Sequence, residues 1–258
     1  MKFCLSILLA AYDYLVCCVG LVWVGLLLLL WSLLALVLYP LLPVRLARAL
    51  GRRAIMTVFR LTLAALTLSG RFHFDLRELD ALRNDKPLII AANHPSLWDV
   101  VLIASRLPDV ACIMKADILS NIFLGGGARL ARYISNASPR KMVVLAVQDL
   151  QCGSHLLLFP EGTRTVRRPI GPLRASIGVI AQRAKAPVQT VLIETDSPFL
   201  RKDWPLFKKP RLPMTYRVRV GKRFPPPENS AALMAELSRY FASQLAVPAP
   251  PADPATAD

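Results

Sequence analysis

The feature that most constrains this chain is a long apolar run near its start. Leu15 to Tyr39 contains no charged side chain. As a helix with a rise of 1.5 Å per residue, this run is roughly 37 Å long, enough to cross a hydrocarbon core of about 30 Å. It is longer than the apolar part of a signal peptide and ends without a small-residue cleavage site. We therefore predict an uncleaved transmembrane anchor over residues 1–42, with its helix ended by Pro40 and Pro43.

Basic residues follow the apolar run and predict its orientation. The arginines are Arg45, Arg48, Arg52, Arg53 and Arg60. Only Lys2 precedes the run, so the positive-inside rule places the C-terminal side in the cytoplasm. Residues 43–70 are predicted as an interfacial or re-entrant amphipathic segment whose arginines reach anionic headgroups. We expect a single-pass or monotopic protein of the cytoplasmic (inner) membrane, with its C-terminal part facing the cytoplasm.

Strand and helix patterns alternate over residues 71–246. Short apolar runs predict buried strands, and longer amphipathic segments predict helices. The predicted strands are Arg71–Leu76, Leu88–Ala92, Val110–Met114, His155–Phe159, Val188–Glu194 and Met214–Val220. The predicted helices are Ser96–Arg106, Met142–Leu150, Leu173–Lys185 and Ala231–Leu245. This order predicts one α/β domain with helices packed on a sheet. Residues 247–258 are rich in proline and alanine and are predicted to be a disordered tail.

Charge and cysteine content narrow the functional classes. The formal net charge of +15 over 258 residues favours anionic partners. A nucleic-acid binder would share this charge, but the chain lacks interleaved stacking aromatics, and a membrane anchor argues against that class. The five cysteines are scattered, without a Cys-x-x-Cys pair or a histidine at metal-ligand spacing. We therefore expect reduced thiols and no metal site.

The first cluster of polar residues follows the predicted strand Leu88–Ala92. The segment Asn93–Asp99 reads Asn-His-Pro-Ser-Leu-Trp-Asp. Ser96 and Asp99 fit a helix capping box, so one interpretation gives Asp99 a purely structural role. The other interpretation is a dyad, in which His94 takes the proton of an attacking hydroxyl and Asp99 fixes the imidazole tautomer. Since no nucleophile elbow is visible, the dyad favours direct attack over an acyl-enzyme.

The second cluster follows the predicted strand His155–Phe159. The segment Phe159–Arg164 reads Phe-Pro-Glu-Gly-Thr-Arg. It is either a plain turn with a solvated arginine or a site for a phosphate or polar headgroup. In the second interpretation Gly162 lets the backbone approach the ligand and Arg164 offers a planar fork to an anion. Glu161 would then accept a hydrogen bond from a hydroxyl.

Together the two clusters resemble the motifs of the lysophospholipid acyltransferases of the 1-acylglycerol-3-phosphate type, within the glycerolipid acyltransferase superfamily. The first matches N-H-x-x-x-x-D and the second matches F-P-E-G-T-R. The resemblance implies a central mixed sheet flanked by helices. It also implies an enzyme that transfers an acyl group from acyl-CoA or acyl carrier protein, as co-substrate, to a hydroxyl of a lysophospholipid-like acceptor at the membrane. No cofactor or metal is implied.

The resemblance also assigns roles to individual residues. His94 would be the general base and Asp99 its partner. The residues that would bind substrate are Asn93, Glu161, Gly162, Thr163 and Arg164.

One family motif is displaced in this chain. A glycine followed by Phe-Ile-x-Arg is expected near residues 127–138, and its arginine would hold the acceptor's phosphate. The chain has Gly-Ala-Arg-Leu-Ala-Arg-Tyr-Ile from Gly127 instead. Arg129, Arg132 and Arg140 are the alternatives for this role. The acceptor therefore stays open between a lysophospholipid and a different hydroxyl, such as an amino-acid lipid or a pigment or other secondary metabolite. A catalytically inactive membrane-binding homologue is a further alternative, against which the intact His94 and Asp99 argue.

Overall fold

The computed structural model describes residues 2–166, 169–205 and 208–246, and the predicted tail at 247–258 lies outside them. Two long helices open the chain, α1 (Lys2–Leu41) and α2 (Val44–Leu68). The strands that follow are β1 (Phe72–Asp75), β2 (Ile89–Ala92), β3 (Val110–Met114), β4 (Ile134–Ser135), β5 (His155–Leu158), β6 (Val188–Thr195) and β7 (Met214–Phe224). The later helices are α3 (Asp99–Ala104), α4 (Gly125–Leu130), α5 (Pro139–Gln151), α6 (Ser176–Ala184) and α7 (Ser230–Leu245).

The strands form one mixed sheet in the order β1-β7-β6-β2-β5-β3-β4. Neighbouring strands are parallel except for β6 and β7, which pair antiparallel. The expected mixed α/β sheet is therefore confirmed. Because β2 and β5 are parallel neighbours, their carboxyl ends lie at the same edge of the sheet. The two polar clusters of the sequence follow these two strands and meet at that edge.

Helices cover both faces of the sheet. Side chains of β2 alternate between the two resulting cores, since Ile90 and Ala92 belong to one and Ile89 and Ala91 to the other. The first core also contains apolar residues of α2 and α3, and the second contains those of α5, α6 and α7. All four β2 residues are buried, as expected for a central strand.

Helix α1 is longer than the apolar run that predicted it. It passes through Asp13, and Pro40 lies inside its last turn. Within the described residues its segment Ser6–Leu41 is long and apolar enough to cross a membrane. Asp13 is nevertheless buried, and its charge is paired, since its carboxylate lies 2.6 Å from Arg71 Nε and 3.6 Å from Lys209 Nζ. The charge thus docks α1 on the α/β domain.

Helix α4 was not predicted, because three consecutive glycines disfavour a helix. Tertiary packing explains these glycines. A Cβ atom on Gly126 would lie 2.1 Å from the carbonyl oxygen of Ser32, and one on Gly127 would lie 2.5 Å from Trp31 Nε1. The backbone amide of Gly126 also donates to Ser32 Oγ at 3.0 Å. The glycines therefore let α4 approach α1 closely.

The arginines of α2 do not all lie where the sequence predicts. Arg52 was expected to reach lipid headgroups, but its side chain is only 1% exposed. Its guanidinium donates to Asp109 at 2.7 Å, to Asp149 at 2.9 Å and to the carbonyl oxygen of Ala131 at 3.1 Å. Arg48 also pairs with Asp149, at 3.1 Å. The amphipathic pattern of α2 therefore reflects, at these positions, docking on the α/β domain.

Candidate active site

The structure brings His94 and Asp99 together at the carboxyl edge of the sheet. His94 lies in the loop after β2, and Asp99 is the first residue of α3. His94 Nδ1 and Asp99 Oδ2 are 2.7 Å apart. The same Oδ2 accepts a hydrogen bond from the Ser96 backbone amide at 2.8 Å. The capping and dyad interpretations therefore describe one carboxylate oxygen and are compatible.

The electrostatics of Asp99 decide which nitrogen of His94 carries the proton. Asp99 is fully buried, and this burial raises its pKa to about 6. The hydrogen bond and charge of His94, the Ser96 amide and the charge of Arg164 oppose a further rise of this pKa. Above that pH the carboxylate is ionised and can only accept, so Nδ1–H of His94 is the donor in this bond. In the neutral imidazole this tautomer leaves the lone pair on Nε2.

The two polar clusters hold each other in place. The His94 ring stacks on Phe159, with centroids 3.8 Å apart and planes inclined by 16°. The backbone amide of Thr165 donates to the carbonyl oxygen of His94 at 2.7 Å. The imidazole is thus fixed by a carboxylate at its edge and an aromatic ring on its face. A fixed ring is what a general base needs to keep Nε2 on a reacting atom.

His94 lines a cavity of about 1090 Å³ that lies between the domain and the two N-terminal helices. Its walls are largely apolar and include Val24 and Leu28 of α1, Phe59 of α2 and Val101 of α3. Cationic side chains also line it. They are Lys115, Arg164, Arg174, Lys202, Lys208 and Lys209. Among the described lining residues Asp203 is the one carboxylate. The cavity thus suits a ligand with a long apolar part and an anionic part.

Three of the predicted substrate-binding residues line this cavity: Gly162, Thr163 and Arg164. Gly162 has a φ of 69°, a left-handed conformation that favours glycine. Arg164 Nη1 donates to the carbonyl oxygens of Leu200 and Arg201, both at 3.0 Å. Part of the expected fork is therefore engaged with the backbone of the loop after β6.

Asn93 and Glu161 occupy positions different from those expected, outside the cavity lining. The Asn93 amide donates to the carbonyl oxygen of Ile193 at 2.9 Å and accepts from the amide of Ile193 at 2.7 Å. It thereby extends the pairing of β2 with β6. Glu161 accepts from the Gly171 amide at 2.8 Å and from the Thr165 hydroxyl. Each of these side chains therefore joins separate segments of the chain at the site.

Some site residues were not found from the sequence. Lys115, the first residue after β3, and Arg174, just before α6, line the cavity. Their position after or before an element at the same edge of the sheet was the available signal. The three arginines considered as substitutes for the displaced motif, Arg129, Arg132 and Arg140, are absent from the described lining. Arg132 instead packs over the ring of Tyr39, at 4.5 Å from its centroid.

Comparisons with known proteins support one family. A family model described as Acyltransferase matches residues 73–194, which include both polar clusters. This match and the similarity to the acyltransferases described below support the glycerolipid acyltransferase family for this chain. It is thus an acyltransferase, which argues against the alternative of an inactive homologue.

Several relatives carry related names. The chain is 24% identical over 215 residues to the 1-acyl-sn-glycerol-3-phosphate acyltransferase of Pseudomonas aeruginosa, covering 81% of this acyltransferase and 80% of that protein. It is 25% identical over 133 residues to human 1-acyl-sn-glycerol-3-phosphate acyltransferase beta, and spans 48% of that protein. The fold is similar to the crystal structure of the 1-acyl-sn-glycerophosphate (LPA) acyltransferase, PlsC, from Thermotoga maritima. That comparison has a TM-score of 0.62 at 17% identity and covers 95% of this chain and 97% of that one.

Proposed function

We propose that this acyltransferase moves a fatty acyl group from the thioester of acyl-CoA or acyl carrier protein onto a hydroxyl of a lysophospholipid-like acceptor. The observation that carries the proposal is the His94–Asp99 pair, joined at 2.7 Å, in the wall of an apolar cavity lined by cations. The names of the relatives support 1-acylglycerol-3-phosphate as the first acceptor to test.

The geometry supports direct attack by the acceptor. His94 Nε2 takes the hydroxyl proton as the acceptor oxygen forms a bond to the thioester carbonyl carbon. Asp99 stabilises the resulting imidazolium through its hydrogen bond to Nδ1. The tetrahedral intermediate then collapses, the carbon–sulfur bond breaks, and His94 returns the proton to the departing thiolate. The products are an ester and a free thiol.

The cavity offers separate surroundings for the two parts of such a substrate. Apolar side chains of α1 and α2 would bury acyl chain at about 0.8 kcal/mol per methylene. Lys115 and Arg174 both line the cavity and have no ion-pair partner among the described residues. The backbone amide of Arg174 also donates to the carbonyl oxygen of Pro160 at 2.7 Å. We assign to Lys115 and Arg174, with Arg164, the acceptor's phosphate. This assignment replaces the arginine of the displaced motif.

The contacts of α1 favour attachment to one side of the membrane over a full crossing. Asp13 and Ser32 both contact the α/β domain, and they lie roughly 28 Å apart along the helix at 1.5 Å per residue. A helix docked at both points lies along the domain and cannot also leave it across the bilayer. Exposed apolar side chains such as Leu30 and Leu34 would then enter the lipid. The arginine-rich start of α2 still favours the cytoplasmic side.

The activity can be tested with purified protein in neutral detergent. Labelled acyl-CoA and acyl carrier protein are each incubated with 1-acylglycerol-3-phosphate, a neutral lysolipid, an amino-acid lipid and a hydroxylated pigment, and products are identified by mass. We expect an acyl ester of 1-acylglycerol-3-phosphate as the product, and we expect His94→Ala to lower its rate of formation by about 10²–10⁴-fold. Near wild-type turnover in that variant would refute the dyad, and an ester with another acceptor alone would redirect the substrate assignment.

The attachment has its own test. Reporter fusions at the two ends of the chain are expected to report the same side of the membrane. Opposite sides would support the full crossing that the apolar run alone predicts.

A further inference from the structure

A second cavity, separate from the active site, is rich in arginine. It measures about 570 Å³ and lies between the C-terminal half of α2, β1 and the segment Arg77–Leu82. Ser105, which follows the end of α3, also lines it. None of its described lining residues belongs to the lining of the His94 cavity. Its four arginines are Arg60, Arg77, Arg83 and Arg106.

Acidic residues balance two of these four charges. Arg106 pairs with Asp80 through Nε, at 3.0 Å, and through Nη2. Arg77 pairs with Asp75 at 3.0 Å, and Arg217 lies 3.6 Å from the same carboxylate. These pairs leave a surplus of two positive charges, since no carboxylate in the described residues lies within ion-pairing distance of the other two arginines, Arg60 and Arg83.

The two unbalanced arginines differ in their surroundings. Arg60 is half-buried and donates from Nε to the carbonyl oxygen of Ser105 at 2.7 Å, which satisfies the end of α3. This bond is a structural reason for Arg60. Arg83 has no side-chain hydrogen bond among the described residues, so helix capping does not explain it. Burial and then the charges of Arg83 and Arg106 lower the pKa of Arg60. An anion in the cavity would relieve this repulsion.

The remaining walls indicate what kind of anion fits. Leu63 and Ala64 of α2 and Leu76 line the cavity beside the arginines. On the same helix Leu61 and Leu68 are 50% and 88% exposed. A group with one to two negative charges matches the surplus, and guanidinium groups bind phosphate through paired hydrogen bonds. Adjacent exposed leucines suit the glycerol and acyl parts of a lipid.

We propose that this arginine cavity binds a phosphate group as a second anionic site, either on the headgroup of a membrane phospholipid or as free phosphate. The site is distinct from acyl transfer, so its test does not depend on the proposed reaction. The apolar neighbours favour the lipid source.

The test counts lipids bound to the full-length protein by native mass spectrometry in neutral detergent. The probes are dioleoyl phosphatidylglycerol and dioleoyl phosphatidylcholine. The variant is Arg60→Gln with Arg83→Gln, and the matched control is Arg183→Gln with Arg239→Gln, exposed arginines on α6 and α7. We expect the apparent dissociation constant for phosphatidylglycerol to rise about tenfold or more in the variant, with little change in the control or with phosphatidylcholine.

A second arm distinguishes the two sources of phosphate. Inorganic phosphate is titrated against the wild type and the variant by calorimetry. If inorganic phosphate binds the wild type but not the variant, free phosphate is supported as a ligand. If phosphatidylglycerol binds in this arginine-dependent way and inorganic phosphate does not bind, the lipid is supported. The single variant Arg83→Gln removes no described side-chain contact and guards against misfolding. The proposal is overturned if neither probe distinguishes these variants from wild type, or if the control loses phosphatidylglycerol equally.

Discussion

Replacing Asp99 by asparagine separates the proposed catalytic role of this side chain from its structural role. Burial raises the Asp99 pKa from its ordinary 3.8 to about 6. The folded protein therefore holds this proton more tightly than the unfolded chain does, and ionisation of Asp99 opposes folding. This loss of folding stability is absent below pH 3.8, grows as the pH rises, and reaches its full size above about pH 6.

The size of the effect follows from the same pKa. One pKa unit corresponds to about 1.4 kcal/mol, so the charge on Asp99 costs about 3 kcal/mol of stability at neutral pH. Asparagine has the same shape without the charge, and its oxygen can still accept from the Ser96 amide, 2.8 Å from Asp99 Oδ2. Its amide nitrogen would take the place of Asp99 Oδ1, which has no partner among the described residues, and this offsets part of the gain.

We therefore expect Asp99→Asn to be as stable as the wild type or more stable at pH 7–8, by up to about 3 kcal/mol. The difference should vanish near pH 4. Acyl transfer should nevertheless fall by about 10²–10⁴-fold, because an amide does not stabilise the imidazolium of His94. Stability and activity thus change in opposite directions.

Thermal unfolding from pH 4 to pH 8, followed by tryptophan fluorescence in neutral detergent, measures the first quantity. Transfer of a labelled acyl group at pH 8 measures the second. Asp117→Asn, at an exposed aspartate, is the matched control. A variant that is less stable than wild type at every pH and turns over normally would refute the dyad and leave Asp99 with the capping role alone.

Further predictions concern pH, the loop after β6, and the docking of the N-terminal helices. The kcat/KM of the wild type should fall as the pH is lowered through about 6, the pKa of Asp99, because the protonated carboxyl no longer stabilises positive charge on the His94 ring. A flat profile down to pH 5 would contradict this. Arg164→Ala should raise the KM for the acceptor and also lower kcat, because the bonds of Arg164 to the loop are lost, and Arg164→Lys should restore only part of the activity. If steady-state kinetics leave both constants unchanged, Arg164 does not belong to the site. Arg52→Met should lower the free energy of unfolding by about 3 kcal/mol, or Tm by roughly 6–12 °C, because Asp149 stays buried with Arg48 as its remaining partner. A decrease below about 1 kcal/mol would mean that Arg52 is solvated. Gly126→Val should lower Tm strongly. Gly25→Ala is the control and should leave Tm nearly unchanged, because its Cβ would lie 3.9 Å from the nearest atom. Equal effects of the two substitutions would contradict the close packing of α4 on α1.

The position of the candidate active site at the carboxyl edge of the sheet could be predicted because its sequence signals are local. The motif containing His94 and the motif containing Gly162 each follow a short apolar run, and parallel strands put such ends at one edge. Residues whose role depends on tertiary contacts could not be assigned in this way. Asn93 was expected to touch substrate, yet it pairs with Ile193, which is 100 positions away in the sequence. Glu161 belongs to the best-matching motif, but its loop folds back on it.

The charges of the N-terminal helices show the same limit. A row of arginines after an apolar run predicts headgroup contacts, because the sequence does not say which of them will meet a carboxylate. The partners of Arg52 lie 57 and 97 positions away, at Asp109 and Asp149. Asp13 likewise interrupts an apolar helix for no local reason, and its partner Arg71 is 58 positions away.

The two N-terminal helices also take part in the candidate active site. Val24 of α1 and Phe59 of α2 line the cavity that contains His94. The apolar side chains of these helices therefore have two surroundings, since some line the cavity and others are exposed on the surface. If the proposed function holds, an acyl chain that leaves the bilayer would move between similar apolar surfaces and could reach the cavity beside His94 without passing through water. Residues 1–42, predicted as an anchor alone, thus also supply a wall of the candidate active site.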